Sequence, residues 1–322
     1  MFLSPNVALG AQPVTPTDSL DRLADVVADD AVDALGERLS FDSEDGALSA
    51  ADSAITINDQ TDPVLTLREG GTALAISDAL PGEPTLTDAG DVVFESLTGD
   101  YSVVPVAHAG SVQITTVLNS DDAPSEYRYD LAAGAEVTIE LFADQSAIVW
   151  NSDNQYVAAI APPWAYDQAG TPVNTWFTVE GSTLVQHVEH RNADVSYPVT
   201  ADPWMGINLF DWANKDTYRN AARVNAQPSA WGYSNVATLA GQAVMRTAGW
   251  DELLGKSSAI KTAMQSKESM RQQFDCHALG SYFAGVWNLE AARPTMTVSW
   301  LTNIANHHCN WTTAGGATTG GW

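Results

Sequence analysis

The sequence predicts an α+β protein: an acidic antiparallel β-sandwich-like domain followed by a small, mainly helical, disulfide-closed domain. Three observations predict it. From about Ala54 to Thr200, short β-branched runs are punctuated by Gly, Asp, Asn and Pro, with turn signals every 8–12 residues or so. Beyond Trp204 the apolar spacing changes to that of a helix. The chain's two cysteines, Cys276 and Cys309, both lie in that later stretch. With 322 residues, 45% of them hydrophobic, the chain is long enough for two cores of ordinary size.

Taken in order, residues 1–17 read as the remnant of a signal peptide and a linker. Ala8-Leu9-Gly10 puts small residues at −3 and −1 of a cleavage site, and a Pro/Thr spacer from Gln12 to Thr17 follows. Residues 18–50 hold a short amphipathic helix. Leu20, Leu23, Ala24, Val27, Ala31 and Leu35 recur at helical spacing, Asp18 or Ser19 caps the start, Gly36 ends it, and the outer face is acidic. Its expected role is to dock onto the domain that follows.

Residues 51–204 form the acidic β-rich domain. Strands are expected at Ala54–Ile57, Val64–Leu67, Ser111–Thr115, Glu136–Leu141, Ala147–Trp150 and Thr183–Val188, several of which alternate apolar with polar in the manner of half-buried strands. Residues 205–322 form the helical domain. Ser234 is placed to cap a helix whose apolar face is Val236, Leu239, Ala240, Ala243, Val244 and Thr247, with Gly249 beyond its end. A second helical stretch runs from about Ser258 to Cys276, with Met270 and Phe274 one turn apart. The tail from Ala314 to Gly321 is rich in Gly and Thr.

Charge divides the chain at the same place. Up to Met205 there are 33 acidic and 5 basic residues, and from Gly206 onward 7 and 9, within a net charge of -26. Nucleic acid is excluded as a partner of the whole chain, because the acidic part would repel a phosphate backbone. No run approaches the roughly 18 apolar residues of a membrane span. With the signal-peptide remnant at the start, the expected compartment is outside the cell, with an extracellular or cell-envelope partner.

Two groups of motifs carry a family resemblance. Glu126-Tyr127-Arg128-Tyr129-Asp130, Ala161-Pro162-Pro163-Trp164-Ala165 and Ser196-Tyr197-Pro198-Val199-Thr200-Ala201-Asp202-Pro203 resemble a β-rich module of secreted actinobacterial proteins. Gln273-Phe274-Asp275-Cys276-His277, Trp287-Asn288-Leu289-Glu290-Ala291-Ala292-Arg293-Pro294 and Cys309-Asn310 resemble a C-terminal domain of unknown function, DUF2599-like, found behind such modules. The resemblance implies export and a disulfide, and it implies no activity.

Read from the residues alone, an even cysteine count in an exported chain points to one Cys276–Cys309 bridge. The alternative is zinc, since Cys276-His277 and His307-His308-Cys309 together offer thiolate and imidazole ligands. Adjacent ligands fit the usual spacing poorly and an oxidising compartment favours cystine, so no metal and no cofactor are expected.

The bridge would gather His277, His307 and His308 with Asp275 close by, a cluster suited to acid/base work. Glu290 and Arg293 would share a face on a helical turn, as a catalytic pair or as an ion pair that fixes a loop beside a core Trp287. His108, His187 and His190 read as surface or satisfied residues of the sandwich. Trp150, Trp164, Trp176 and Tyr129 would suit a sugar-stacking platform if they shared a face, and otherwise fill the core.

No Gly-x-Ser-x-Gly, His-Glu-x-x-His, phosphate-binding or dinucleotide fingerprint is present. Two functional readings stand: a non-enzymatic extracellular or envelope binding module, or a secreted effector, hydrolase or antibacterial toxin, whose chemistry lies in the C-terminal domain. Convergence of His277, Glu290 and Arg293 at the mouth of a pocket would favour the second, and their dispersal or burial in pairs the first.

Overall fold

The computed structural model describes residues 38–44, 47–50, 54–58, 62–69, 71–108, 110–236, 239–280, 285–299 and 309–315. The signal-peptide remnant, the helix expected over Leu20–Leu35, and His307 and His308 lie outside the described residues.

The described chain opens with a five-strand meander: β1 (Asp42–Glu44), β2 (Ala47–Ala50), β3 (Ile55–Asn58), β4 (Val64–Glu69) and β5 (Thr72–Ser77). It crosses to a second sheet for β6 (Pro84–Leu86), β7 (Val92–Glu95), β8 (Tyr101–His108) and β9 (Ser111–Leu118), then returns for β10 (Glu126–Ala132). The second sheet gains β11 (Thr138–Leu141), β12 (Ala147–Trp150), β13 (Tyr156–Ile160) and β14 (Trp164–Tyr166). The first is completed by β15 (Thr175–Glu180) and β16 (Thr183–Val188), and the second by β17 (Val199–Asp202) and β18 (Trp204–Gly206). All pairings are antiparallel, in the orders β1-β2-β3-β4-β5-β10-β16-β15 and β11-β12-β13-β18-β9-β8-β7-β6, with β17 joining β14 to β9.

Alternation explains why two layers form. On β10, Tyr127, Tyr129 and Leu131 are buried while Glu126 and Arg128 are exposed, so one face must find apolar cover. Ile55, Leu65, Leu74 and Ile76 of the first sheet share one buried cluster with Phe94, Val103, Ile114 and Val157 of the second. Strand pairing among the described residues begins with the Leu39–Ala107 bridge, inside the segment read as a helix region.

The C-terminal part is a small α+β layer. β19 (Phe210–Tyr218), β20 (Ala221–Pro228) and β21 (Trp287–Glu290) form a three-stranded antiparallel sheet. Helices α1 (Ala230–Val236), α2 (Leu239–Val244), α3 (Trp250–Lys256), α4 (Ser258–Met264) and α5 (Glu268–Gly280) lie between β20 and β21 in sequence. Val224, Ala226, Trp287 and Leu289 of the sheet share a core with Leu253, Ile260, Met270 and Phe274 of the helices.

Three local expectations are corrected. Ser229, not Ser234, caps the first helix: its Oγ accepts from the Gly232 N–H at 2.9 Å, and Ser234 falls inside α1. Gly249 does not end a helix but sits in a π-helical turn, Met245–Gly249, that leads directly into α3. A side chain there would approach Phe210, Met245 and Phe274 at 3.3–3.4 Å, so the glycine serves close packing rather than termination. The stretch from Ser258 to Cys276 is two helices, the first capped by Ser257, whose Oγ accepts from Ile260 N–H at 3.2 Å.

The C-terminal layer rests on the outer face of the second sheet. Ile148, Ala159 and Trp204 belong to its core, and Trp204 meets the fully buried Trp231 edge to face, with centroids 4.7 Å apart. Gly206 lets this happen, because a Cβ there would lie 2.8 Å from the Trp231 ring and from Ser111 Cβ. At the same junction the Glu252 carboxylate accepts from the backbone N–H groups of Leu209 and Phe210, at 2.7 and 3.1 Å, and pairs with Lys256 at 3.0 Å. Burial pushes its pKa up even so.

Candidate functional site

The residues of the C-terminal signature are each tied into this layer. Strand alternation on β21 sends Trp287 and Leu289 into the helical core and turns Asn288 and Glu290 to the opposite face. The fully buried Gln273 of α5 fixes the strand end: its Oε1 accepts from Glu290 N–H at 2.9 Å and its Nε2 donates to Glu290 O at 3.1 Å. Glu290 and Arg293 do not share a helical face; they straddle the turn that follows β21, closed by the Arg293 N–H to Glu290 O bond at 3.0 Å. Their side chains form an ion pair, only 7% and 12% exposed. Pro294 O accepts from Trp311 Nε1 at 2.7 Å, and Lys267 and Ser269 donate to Arg293 O.

His277 lies one helical turn from Gln273, on the inner side of β21. Its ring stacks on Trp287, with centroids 5.3 Å apart and planes 14° apart. Burial of the ring, partly opposed by a hydrogen bond to the backbone of Asn288, holds its pKa down at about 4. The ring is half-buried overall, but Nε2 itself is closed off from solvent and has no hydrogen-bond partner among the described residues. Asp275 does not stand beside it. Two residues apart on a helix point about 200° apart, and the Asp275 carboxylate instead accepts from Arg246 and Arg271 at 3.2 and 3.0 Å.

Cys276 and Cys309 are disulfide-bonded, with Cα atoms 5.3 Å apart, and both are buried. The bond leaves neither sulfur as a thiolate ligand, and no group of three or more His, Cys, Asp and Glu suited to a metal occurs among the described residues. Thus His277, Glu290 and Arg293 do not converge: the histidine faces the helical core and the ion pair lies across β21 from it.

The four aromatic candidates of the sandwich are also dispersed. Tyr129 is buried in the core, and Trp150 leans on the C-terminal core while its Nε1 donates to Glu140 at 3.0 Å. Trp164 tilts against Tyr166 on the second sheet, and Trp176 stacks flat on His187 on the first. His190 is satisfied at both ring nitrogens, by Tyr197 Oη at 2.7 Å and Pro124 O at 3.2 Å.

What sequence reasoning missed is the outer face of the three-stranded sheet. The β19–β20 register sets Trp212 against Gln227, Asn214 against Asn225 and Asp216 against Arg223, and β21 adds Asn288 beside Asn225 and Glu290 beside Arg223. Asn225 Nδ2 donates to Asn214 Oδ1 at 2.9 Å. Arg223 grips Asp216 with two bonds, at 2.9 and 2.5 Å, which lowers the pKa of that carboxyl. Next along the face, Tyr218 has three guanidinium groups around its ring, Arg219, Arg223 and Arg293, at 5.2, 5.3 and 5.8 Å. Trp212 is 42% exposed at the other end. The signal in the sequence is the alternation Trp212, Asn214, Asp216, Tyr218, which carries no apolar contrast and so does not register as a strand.

No curated protein matches the chain. Residues 207–312 match the family model described as "Protein of unknown function (DUF2599)", a span that takes in the three-stranded sheet, the five helices, the signature turn and both cysteines; over that span the C-terminal region is similar to this family.

Proposed function

We propose that this is an exported, non-catalytic binding module, in which an acidic β-sandwich carries a DUF2599-like domain that engages a partner outside the cell or in the envelope. The observation that carries the reading is the fate of the candidate chemistry. His277 is stacked and held neutral, Glu290 and Arg293 neutralise each other, and Asp275 is taken by two arginines. Acid/base catalysis needs such groups within reach of one reacting atom, and these are dispersed among structural contacts.

Export is supported by the cystine, which persists in oxidising compartments, and by the small residues at Ala8-Leu9-Gly10. Among the described residues no helix is long and apolar enough to cross a membrane.

The test uses the oxidised full-length chain. Saturable retention on washed envelope preparations, equal for the unaltered protein and His277→Ala once both are folded, is expected. Growth inhibition of competitor cells that disappears in His277→Ala at an unchanged melting temperature would overturn the reading in favour of an effector.

A further inference from the structure

We infer that the outer face of the three-stranded sheet is a binding face for an anionic saccharide, Trp212 serving as the stacking platform and the Tyr218–Arg219 end as the anchor for the ligand's carboxylate. The inference rests on the binding-module reading and deepens it by naming the ligand class.

The first support is shape and chemistry along one strand. A strand rises about 3.3 Å per residue, so Trp212 and Tyr218 stand roughly 20 Å apart. That is the reach of a short oligosaccharide rather than of one sugar. Between them lie the exposed Asn214, held by the buried Asn225 beneath it, and the Asp216–Arg223 pair, with bonds of 2.5–2.9 Å within each pair. An ordered array of planar amide, carboxylate and guanidinium groups presents donors and acceptors together, which matches a row of hydroxyls, each of which is both. The exposed indole supplies what hydroxyl recognition lacks, an apolar surface for the C–H face of a pyranose.

The second support is charge. In a chain of net charge -26, three arginines meet at Tyr218 with only Asp216 and Glu290 to balance them. Arg223 and Arg293 hold those two carboxylates; Arg219 is exposed and makes no ion pair among the described residues. The local excess is one positive charge. Tyr218 is about 26 Å along β19 from Phe210 at the sandwich junction, well beyond the roughly 8–10 Å over which salt lets the acidic domain's field act. A neutral glycan has no use for this excess, and a carboxylate-bearing one does.

The fold asks little of Arg219 beyond its contact with the Tyr218 ring. It occupies the β19–β20 turn with Asn220, both at positive φ, 50° and 61°. Asn is better suited to that backbone and would leave the turn intact. Trp212 likewise projects from an outward position, so its loss should cost little packing.

The experiment is calorimetric titration of the oxidised full-length chain with tri-galacturonate, with maltotriose and inorganic phosphate as separate arms. Saturable binding of tri-galacturonate is expected, with maltotriose at least about tenfold weaker, as suits the loss of a charge-assisted hydrogen bond. Trp212→Ala and Arg219→Asn should each weaken tri-galacturonate about tenfold while circular dichroism stays unchanged. No binding, binding that both variants retain in full, equal binding of maltotriose, or Arg219-dependent phosphate binding that ignores Trp212 would each overturn the inference. Repeating the envelope retention with the double variant separates the two proposals: retention that persists while saccharide binding fails sinks this inference and leaves the binding-module reading standing.

Discussion

His277 and Arg293 show how a residue that looks catalytic in sequence can be a structural part. Burial of the His277 ring against Trp287 holds its pKa at about 4, below the ordinary value near 6.5. The unfolded chain therefore takes up a proton first as pH falls. Stability from this group is complete above about pH 6.5 and is lost as pH drops towards 4, by up to about 3 kcal/mol. His277→Gln should flatten that acid limb; parallel loss of melting temperature in the variant and the parent between pH 7 and 4.5 would rule the assignment out. Arg293→Ala should cost about 3 kcal/mol, because it leaves the buried Glu290 carboxylate unpaired. An unfolding free energy from urea titration within a few tenths of a kcal/mol of the parent would show the pair to be idle.

Among the elements, the link between α5 and the C-terminal segment bears most on domain stability. The cystine closes a loop with a sequence separation of 33, for which chain-entropy reasoning gives about 3–4 kcal/mol. Reduction should lower the unfolding free energy of the C-terminal region by that amount, and an unfolding midpoint that ignores reductant would contradict it. This link was legible in sequence because two cysteines permit only one pairing. Several sandwich strands were legible too: Ala147–Trp150 and Thr183–Val188 are observed as read, since Ile, Val and Leu there leave little choice. The β19–β20 hairpin was not. Its strands are polar and its turn, Arg219-Asn220, lacks the glycine that usually announces one, so only the tertiary sheet reveals it. Gly249 misled for the converse reason: a glycine can mark a close approach of rings as well as a helix end. The polar face that now stands as the candidate site became visible only through cross-strand register, which one sequence does not contain.

At the scale of the molecule, charge and burial set the two parts against each other in acid. We expect residues 206–322 to unfold in a transition of their own under oxidising conditions, although the Trp204–Trp231 contact joins them to the sandwich. Gly206→Ala should loosen that joint by about 1–3 kcal/mol, since the added methyl has nowhere to go between Trp231 and Ser111. In the sandwich, Asp202 is buried at the end of β17. Burial raises its pKa to about 7, even though it accepts from Gln113 Nε2 at 2.9 Å and the Trp164 N–H at 3.4 Å. Between about pH 4 and 7 the folded state thus holds a proton that the unfolded state has released. Its stability is greatest at the acid end and falls as pH rises, by up to about 4 kcal/mol. His277 has the opposite sign and lies in the other part, where the raised pKa of the buried Glu252 opposes it only in part. Acidification from pH 7.5 to 5 should therefore raise the sandwich's melting transition relative to that of the C-terminal domain, read as the two transitions in calorimetry. Asp202→Asn should remove much of the sandwich's share of that shift, and His277→Gln the other share. A single transition at both pH values, or a sandwich that melts earlier in acid, would show that the buried carboxyl and the stacked imidazole do not govern the balance between the two halves.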